Sequence, residues 1–160
     1  MIEAYREDVA RRQADGLPPL PLSAEQVTQL TALLQTPPAG EEAFLLELLS
    51  ERVPPGVDEA AQVKAAFLAD VARGAIQSPL LDRRQATEWL GTMLGGYTIA
   101  PLLELLDDEA LAPVAAQALS TTLLIFDAYH AVMAKANGNR WAKEVVDHWA
   151  AATWFSRRPP

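Results

Sequence analysis

Apolar residues recur along this chain at three- and four-residue intervals, in runs separated by proline and glycine. That spacing gathers apolar side chains on one face of a helix, whereas a half-buried strand would alternate with period two. A first helix is predicted over roughly Ile2 to Asp15, ending at Gly16. The segment Leu17-Pro18-Pro19-Leu20-Pro21-Leu22 cannot continue it, because each proline disfavours the helical region for the residue before it. Ser23 then reads as an N-cap with Gln26 as its capping-box partner, ahead of Val27, Leu30 and Leu34 at helical spacing. Pro37-Pro38 ends this second helix. A third is predicted from near Gly40, with Glu41 and Glu42 at the positive end of its dipole and a stripe of Phe44, Leu45, Leu48 and Leu49. Val53-Pro54-Pro55-Gly56 stops it.

Asp58 caps a fourth predicted helix, striped by Val63, Phe67 and Val71 and ended by Gly74. Asp82 caps a fifth, which reaches about Leu94, and Gly95-Gly96 breaks the chain again. A short helix is predicted near Ile99 to Leu106, with Pro101 tolerated in its first turn. Another begins near Asp108 with Pro113 early, and Ser120 to Ala136 reads as one long helix. Asn137-Gly138 is a turn, and Asn139 caps a last helix from Arg140 to about Phe155. No stretch sustains period-two alternation of β-branched residues, so the expected class is all-α with little or no sheet.

One internal echo adds a topology to this list of helices. Leu45-Leu46-Glu47-Leu48-Leu49 recurs 57 residues later as Leu102-Leu103-Glu104-Leu105-Leu106, each copy followed by proline and an alanine-rich helix. Repeated helix pairs of this kind suggest an irregular α-solenoid of HEAT type. A generic helical bundle remains the alternative, since the pentapeptide is a common amphipathic string.

Composition narrows the function classes. The chain has 160 residues, half of them hydrophobic, which suits one domain with a real core. Lys plus Arg number 13 against 21 Asp plus Glu, for a formal charge of −8. That balance argues against duplex nucleic acid or an anionic membrane as the main partner. With no cysteine, the chain can form no disulfide, zinc knuckle, thiol nucleophile or self-ligated iron–sulfur cluster. The N-terminus is charged from Glu3 and carries no apolar signal region, and the apolar run from Ala110 to Phe126 is interrupted by Pro113, Gln117 and three hydroxyl residues. The expected location is therefore the cytoplasm.

Few residues suggest chemistry. His130 and His148 both fall on apolar helix stripes, and Asp127-x-x-His130 with Glu144-x-x-x-His148 resembles half of a carboxylate-bridged metal site. The completing carboxylates are not identifiable, and two partly buried, hydrogen-bonded histidines are the plainer reading. Gly91-Thr92-Met93-Leu94-Gly95-Gly96-Tyr97 lacks the Lys-Ser/Thr ending of a P-loop and follows no strand. It reads as a helix end with a left-handed cap and a tight turn. The alternative is a loop at Gly95, Gly96 and Tyr97 that lets a partner or ligand approach the backbone. Asp107-Asp108-Glu109 reads as a solvated helix start. Trp141 and Trp149 read as core residues, whereas Trp154-Phe155 either packs inside or docks onto something absent from this chain.

Longer strings resemble a known family. Pro37 to Glu42, Phe44-Leu45-Leu46, Arg52-Val53-Pro54-Pro55-Gly56-Val57-Asp58-Glu59-Ala60-Ala61 and Leu90-Gly91-Thr92-Met93 with Gly95-Gly96-Tyr97 are similar to the N-terminal domain of bacterial aconitase B. So are Leu111-Ala112-Pro113, Ala118-Leu119-Ser120 and the closing Trp154-Phe155 with Arg158-Pro159-Pro160. The resemblance implies a HEAT-like α-solenoid, a right-handed superhelix of antiparallel helix pairs, over residues 1–156, with 157–160 starting a linker to catalytic domains. It implies a non-catalytic module for protein–protein interaction and dimerisation that shapes a substrate channel in a citrate/isocitrate hydro-lyase of the tricarboxylic acid cycle. The [4Fe–4S] cluster of that family is held by cysteines elsewhere in a much longer chain, so no catalytic, cofactor or metal residue is expected here. The implied partners are the catalytic domains in cis and a second copy.

Two departures stand out: Thr98-Ile99-Ala100-Pro101 replaces a more polar segment ending in histidine before the proline, and the Asn137-Gly138 turn is short. Arg52, Arg73, Arg83 and Arg84 are the basic residues that could face a channel for citrate. Two other readings stand beside this one: a free-standing HEAT-like adaptor with an unrelated partner, and a metal-binding bundle using the two histidines.

Overall fold

The computed structural model describes residues 1–54, 56–122 and 128–152. Every regular element among them is helical: α1 (Ile2–Ala14), α2 (Ala24–Gln35), α3 (Glu42–Glu51), α4 (Glu59–Arg73), α5 (Arg83–Thr92), a 3-10 turn (Gly96–Thr98), α6 (Ile99–Leu105), α7 (Ala112–Thr121), α8 (Tyr129–Ala136) and α9 (Arg140–Ala151).

The caps form where local chemistry places them. Ser23 and Gln26 make the reciprocal capping box of α2. Asp58 accepts from the Ala61 N–H to open α4, and Asp82 from the Gln85 N–H to open α5. Asn139 accepts from both Trp141 and Ala142 to open α9. The helices then pack in a row, α2 on α4, α4 on α5, α5 on α7 and α7 on α9, with the short α3, α6 and α8 lying beside α2, α7 and α9 respectively. One core runs through the row from Tyr5 to Trp149. Central α4 buries Ala60, Ala61, Ala65, Phe67, Leu68, Ala69, Val71 and Ala72, while Val63 is only partly covered. At the near end, α1 is tied down by Tyr5 against Phe44 and by Arg6, which donates to both carboxylate oxygens of Glu41 at 2.8 and 2.6 Å.

The two Leu-Leu-Glu-Leu-Leu copies share one burial pattern. Leu45, Leu48 and Leu49 are buried on α3, and Leu102, Leu105 and Leu106 are buried at the same three places on and just after α6. In both copies the second leucine is partly covered and the glutamate is exposed.

Three boundaries differ from the sequence reading, the first being the last helix, expected to reach about Phe155: α9 ends at Ala151 and Ala152 is extended. The helix expected from Asp108 begins only at Ala112, because the Asp108 carboxylate accepts from the Ala110 and Leu111 N–H groups and closes a turn instead. The long helix expected from Ser120 to Ala136 is not continuous: α7 ends at Thr121, Thr122 is extended and α8 starts at Tyr129. The hydroxyls of Ser120, Thr121 and Thr122 bond back to carbonyls of Ala116, Gln117 and Ala118, the local competition that bends and ends helices.

Candidate functional site

The turn carrying Gly95, Gly96 and Tyr97 lies against the turn that precedes α4. Gly56 has φ 150° and Gly95 φ 137°, conformations that side chains disfavour. At each of them the facing backbone fills the space a Cβ would need. A methyl on Gly56 would collide with the Leu94 carbonyl, and one on Gly95 with the Gly56 carbonyl. Two backbones therefore pack directly on each other, which only a missing side chain permits. Gly96 has no such constraint, since its φ is not positive and a Cβ there meets nothing within 4 Å. The left-handed helix cap expected in this segment does not form, because Met93 leaves α5 in an extended conformation.

This junction presents apolar side chains to solvent. Val57 is 84% exposed, Leu94 61% and Tyr97 37%. Tyr97 and Pro101 also line a groove of about 260 Å³ that runs along Ala65, Ala66 and Ala69 of α4 to Arg73. Arg73 is already neutralised there: its Nε and Nη2 donate to Glu104 at 2.9 and 2.7 Å, and Asp70 lies 3.4 Å from Nη1. Ala100, which stands where the family resemblance leads one to expect histidine, is exposed at the start of α6. That position therefore carries a methyl group and no polar function.

The other basic candidates are mostly paired too. Arg83 bonds Asp108 and donates to the Ala72 carbonyl at 2.7 Å, and Arg84 pairs with Glu88 at 3.0 Å. Arg52 makes no ion pair among the described residues. Asp107-Asp108-Glu109 is a turn and not a helix start. The hydrogen bond from Lys135 holds the Asp107 carboxyl below its usual range, and the one from Arg83 does the same for Asp108. This turn borders a larger, polar crevice of about 620 Å³, with Glu109, Asn139, Arg140 and Trp141 on its rim.

Several expected placements change. His130 and His148 are exposed, not partly buried. The described residues hold no cluster of three or more metal-ligating side chains; Asp127 lies outside them. Trp149 is buried, and its Nε1–H donates to the Leu119 carbonyl at 3.2 Å. Trp141 is only half-buried, with the Arg140 guanidinium 4.4 Å over its ring. Trp154 and Phe155 lie outside the described residues.

Sequence reasoning missed Val57, Leu94 and the partnership of Gly56 with Gly95. The available signal was that both glycines sit in the two most unusual strings of the chain. It also took no account of Lys64, which is 7% exposed on α4. Burial lowers the pKa of that ammonium, with Glu51 acting weakly the other way.

Comparison with known proteins gives this surface a context. Residues 4–155 match a family model described as the aconitate B N-terminal domain. The chain is 58% identical over 160 residues to aconitate hydratase B of Escherichia coli, covering 99% of this chain and 18% of that protein. It is 56% identical over 160 residues to the aconitate hydratase B of Pseudomonas aeruginosa, again covering 99% and 18%. The aconitate hydratase B of Helicobacter pylori is 43% identical over 161 residues, covering 99% and 19%. The chain thus spans less than a fifth of the length of these relatives.

Proposed function

The chain belongs to the aconitate B N-terminal domain family, and from that premise we propose that it is the non-catalytic amino-terminal module of a citrate/isocitrate hydro-lyase, acting in the cytoplasm. One observation carries the reading: the similarity runs along 99% of this chain yet falls within 18% of the relative, so the shared part is a module and not an enzyme in miniature. Residues 1–156 form the module in this reading, and 157–160 begin the link to catalytic domains.

The chemistry of the side chains agrees. The family's [4Fe–4S] cluster needs thiolate ligands, and this sequence contains no cysteine. The residues present do not fit that group, and no catalytic step is assigned to them. What the module supplies is surface. The row of helices and the matched burial of the two Leu-Leu-Glu-Leu-Leu copies support a HEAT-like solenoid, a form that offers long faces for protein contacts. In this role the module pairs with the catalytic domains and with a second copy, and it helps wall the approach to the active site. Channel-facing positive charge is limited in this reading, because Arg73, Arg83 and Arg84 are each held by a carboxylate. Arg52 is the candidate with no such partner among the described residues.

Two measurements test the reading. An antibody raised to this chain should detect a product several times larger than 17.4 kDa in source cells. The purified 160-residue chain should show no turnover of cis-aconitate, before or after cluster reconstitution. A native product of 17.4 kDa would replace the hydro-lyase module with a free-standing adaptor. Turnover by the isolated chain would refute a non-catalytic role.

A further inference from the structure

Val57 and Leu94 have no structural duty inside the chain that would explain their placement, being 84% and 61% exposed. Single apolar residues on a surface are ordinary. Here, however, Val57, Leu94 and Tyr97 come from two turns far apart in sequence and stand at one junction, held by two glycines in disfavoured conformations. Tyr97 carries the apolar surface onward into the groove over Ala65, Ala66 and Ala69. At the far end of that groove the Arg73 charge is spent on Glu104 and Asp70. A surface centred on exposed apolar side chains suits an apolar segment of protein better than a small charged ligand.

We infer that the Val57–Leu94–Tyr97 cluster and the adjoining α4 groove seat the catalytic part of the same polypeptide. This rests on the module reading above and deepens it by naming the contact surface. The occupant follows from length: the relatives carry more than four-fifths of their chain outside the region matched here. Domains joined in one chain meet through patches of about 600–1,500 Å² that mix apolar and polar surface. Val57, Leu94 and Tyr97 would form the apolar centre of such a patch, with the Arg73–Glu104 pair at its rim.

Hydrogen exchange compares the 160-residue chain with the full-length polypeptide from the same gene. Backbone amides of residues 56–59 and 94–98 should exchange about 10-fold or more slowly in the longer protein. A Val57→Ser/Leu94→Ser double variant of the full-length protein should return them to within about 2-fold of the isolated chain. Both substitutions are at exposed positions, and an unchanged far-UV circular dichroism spectrum verifies the fold. Equal exchange in the two proteins, with protection on another face only, overturns this seat and leaves the module reading standing. A gene that ends near residue 160 overturns both. Concentration-dependent self-association of the isolated chain that the double variant abolishes assigns the surface to a second copy, and also overturns the inference.

Discussion

Gly91 sits inside α5, where alanine is the better helix former by about 1 kcal/mol. A Cβ there would stand 2.6 Å from the Ala118 Cβ of α7, and overpacking of that kind costs about 1–3 kcal/mol. The steric term outweighs the propensity gain over most of that range, so Gly91→Ala should lower stability by up to about 2 kcal/mol in thermal unfolding, and adding Ala118→Gly should restore part of the loss. Lys64 poses an electrostatic question. Its folded pKa lies below its ordinary value of 10.5 because burial penalises the charge. Between those two values the unfolded chain holds more protons than the folded one, so stability rises with pH across that window. Lys64→Met keeps the apolar stem and removes the charge. It should stabilise by roughly 1 kcal/mol at pH 7, about 2–4 °C in Tm, with the advantage shrinking as pH approaches 10.5. A variant that melts lower at neutral pH would show that the ammonium has a partner worth more than its desolvation cost. Neither residue is legible from its neighbours in sequence. Gly91 reads as helix-end punctuation until α7 packs against it, and Lys64 as one more surface lysine until the fold buries it.

The elements were more readable, because capping acts over three or four residues. Ser23, Asp58, Asp82 and Asn139 all cap as their side chains and positions dictate. Asn139 does more than its sequence position tells. Its Oδ1 caps α9 while its Nδ2 donates to the Leu106 carbonyl at 2.7 Å, tying α9 to the end of α6. Asn139→Ala should therefore cost about 1–2 kcal/mol in denaturant unfolding. Asn139→Ser, which can still cap but cannot reach the carbonyl as a donor, should lose less. Equal losses would mean the cross-helix bond carries nothing. The misread boundaries have the same origin in reverse. Asp108 has the sequence signature of a helix start, but its carboxylate is drawn into a turn that Arg83 of α5 also holds. Ser120, Thr121 and Thr122 continue an apolar period that their own hydroxyls interrupt.

For the whole molecule, the core is one cluster from Tyr5 to Trp149, with no break between the early and late helices. The chain should therefore unfold in one transition, with far-UV circular dichroism and tryptophan fluorescence, to which buried Trp149 contributes, giving the same midpoint. Two separated midpoints would show that the helix row behaves as independent repeats. What the sequence determined by itself was the all-helical class, most caps, the lack of any thiolate ligand and the family to which the strings belong. Helical period and capping are contacts within a few residues, and composition needs no folding at all. What only the tertiary structure decided was which glycines are contacts, which histidines face water, which arginines are neutralised, and that Gly56 and Gly95 meet beneath Val57, Leu94 and Tyr97. Those outcomes depend on burial and steric exclusion between segments distant in the chain, and no local periodicity encodes which segments will touch.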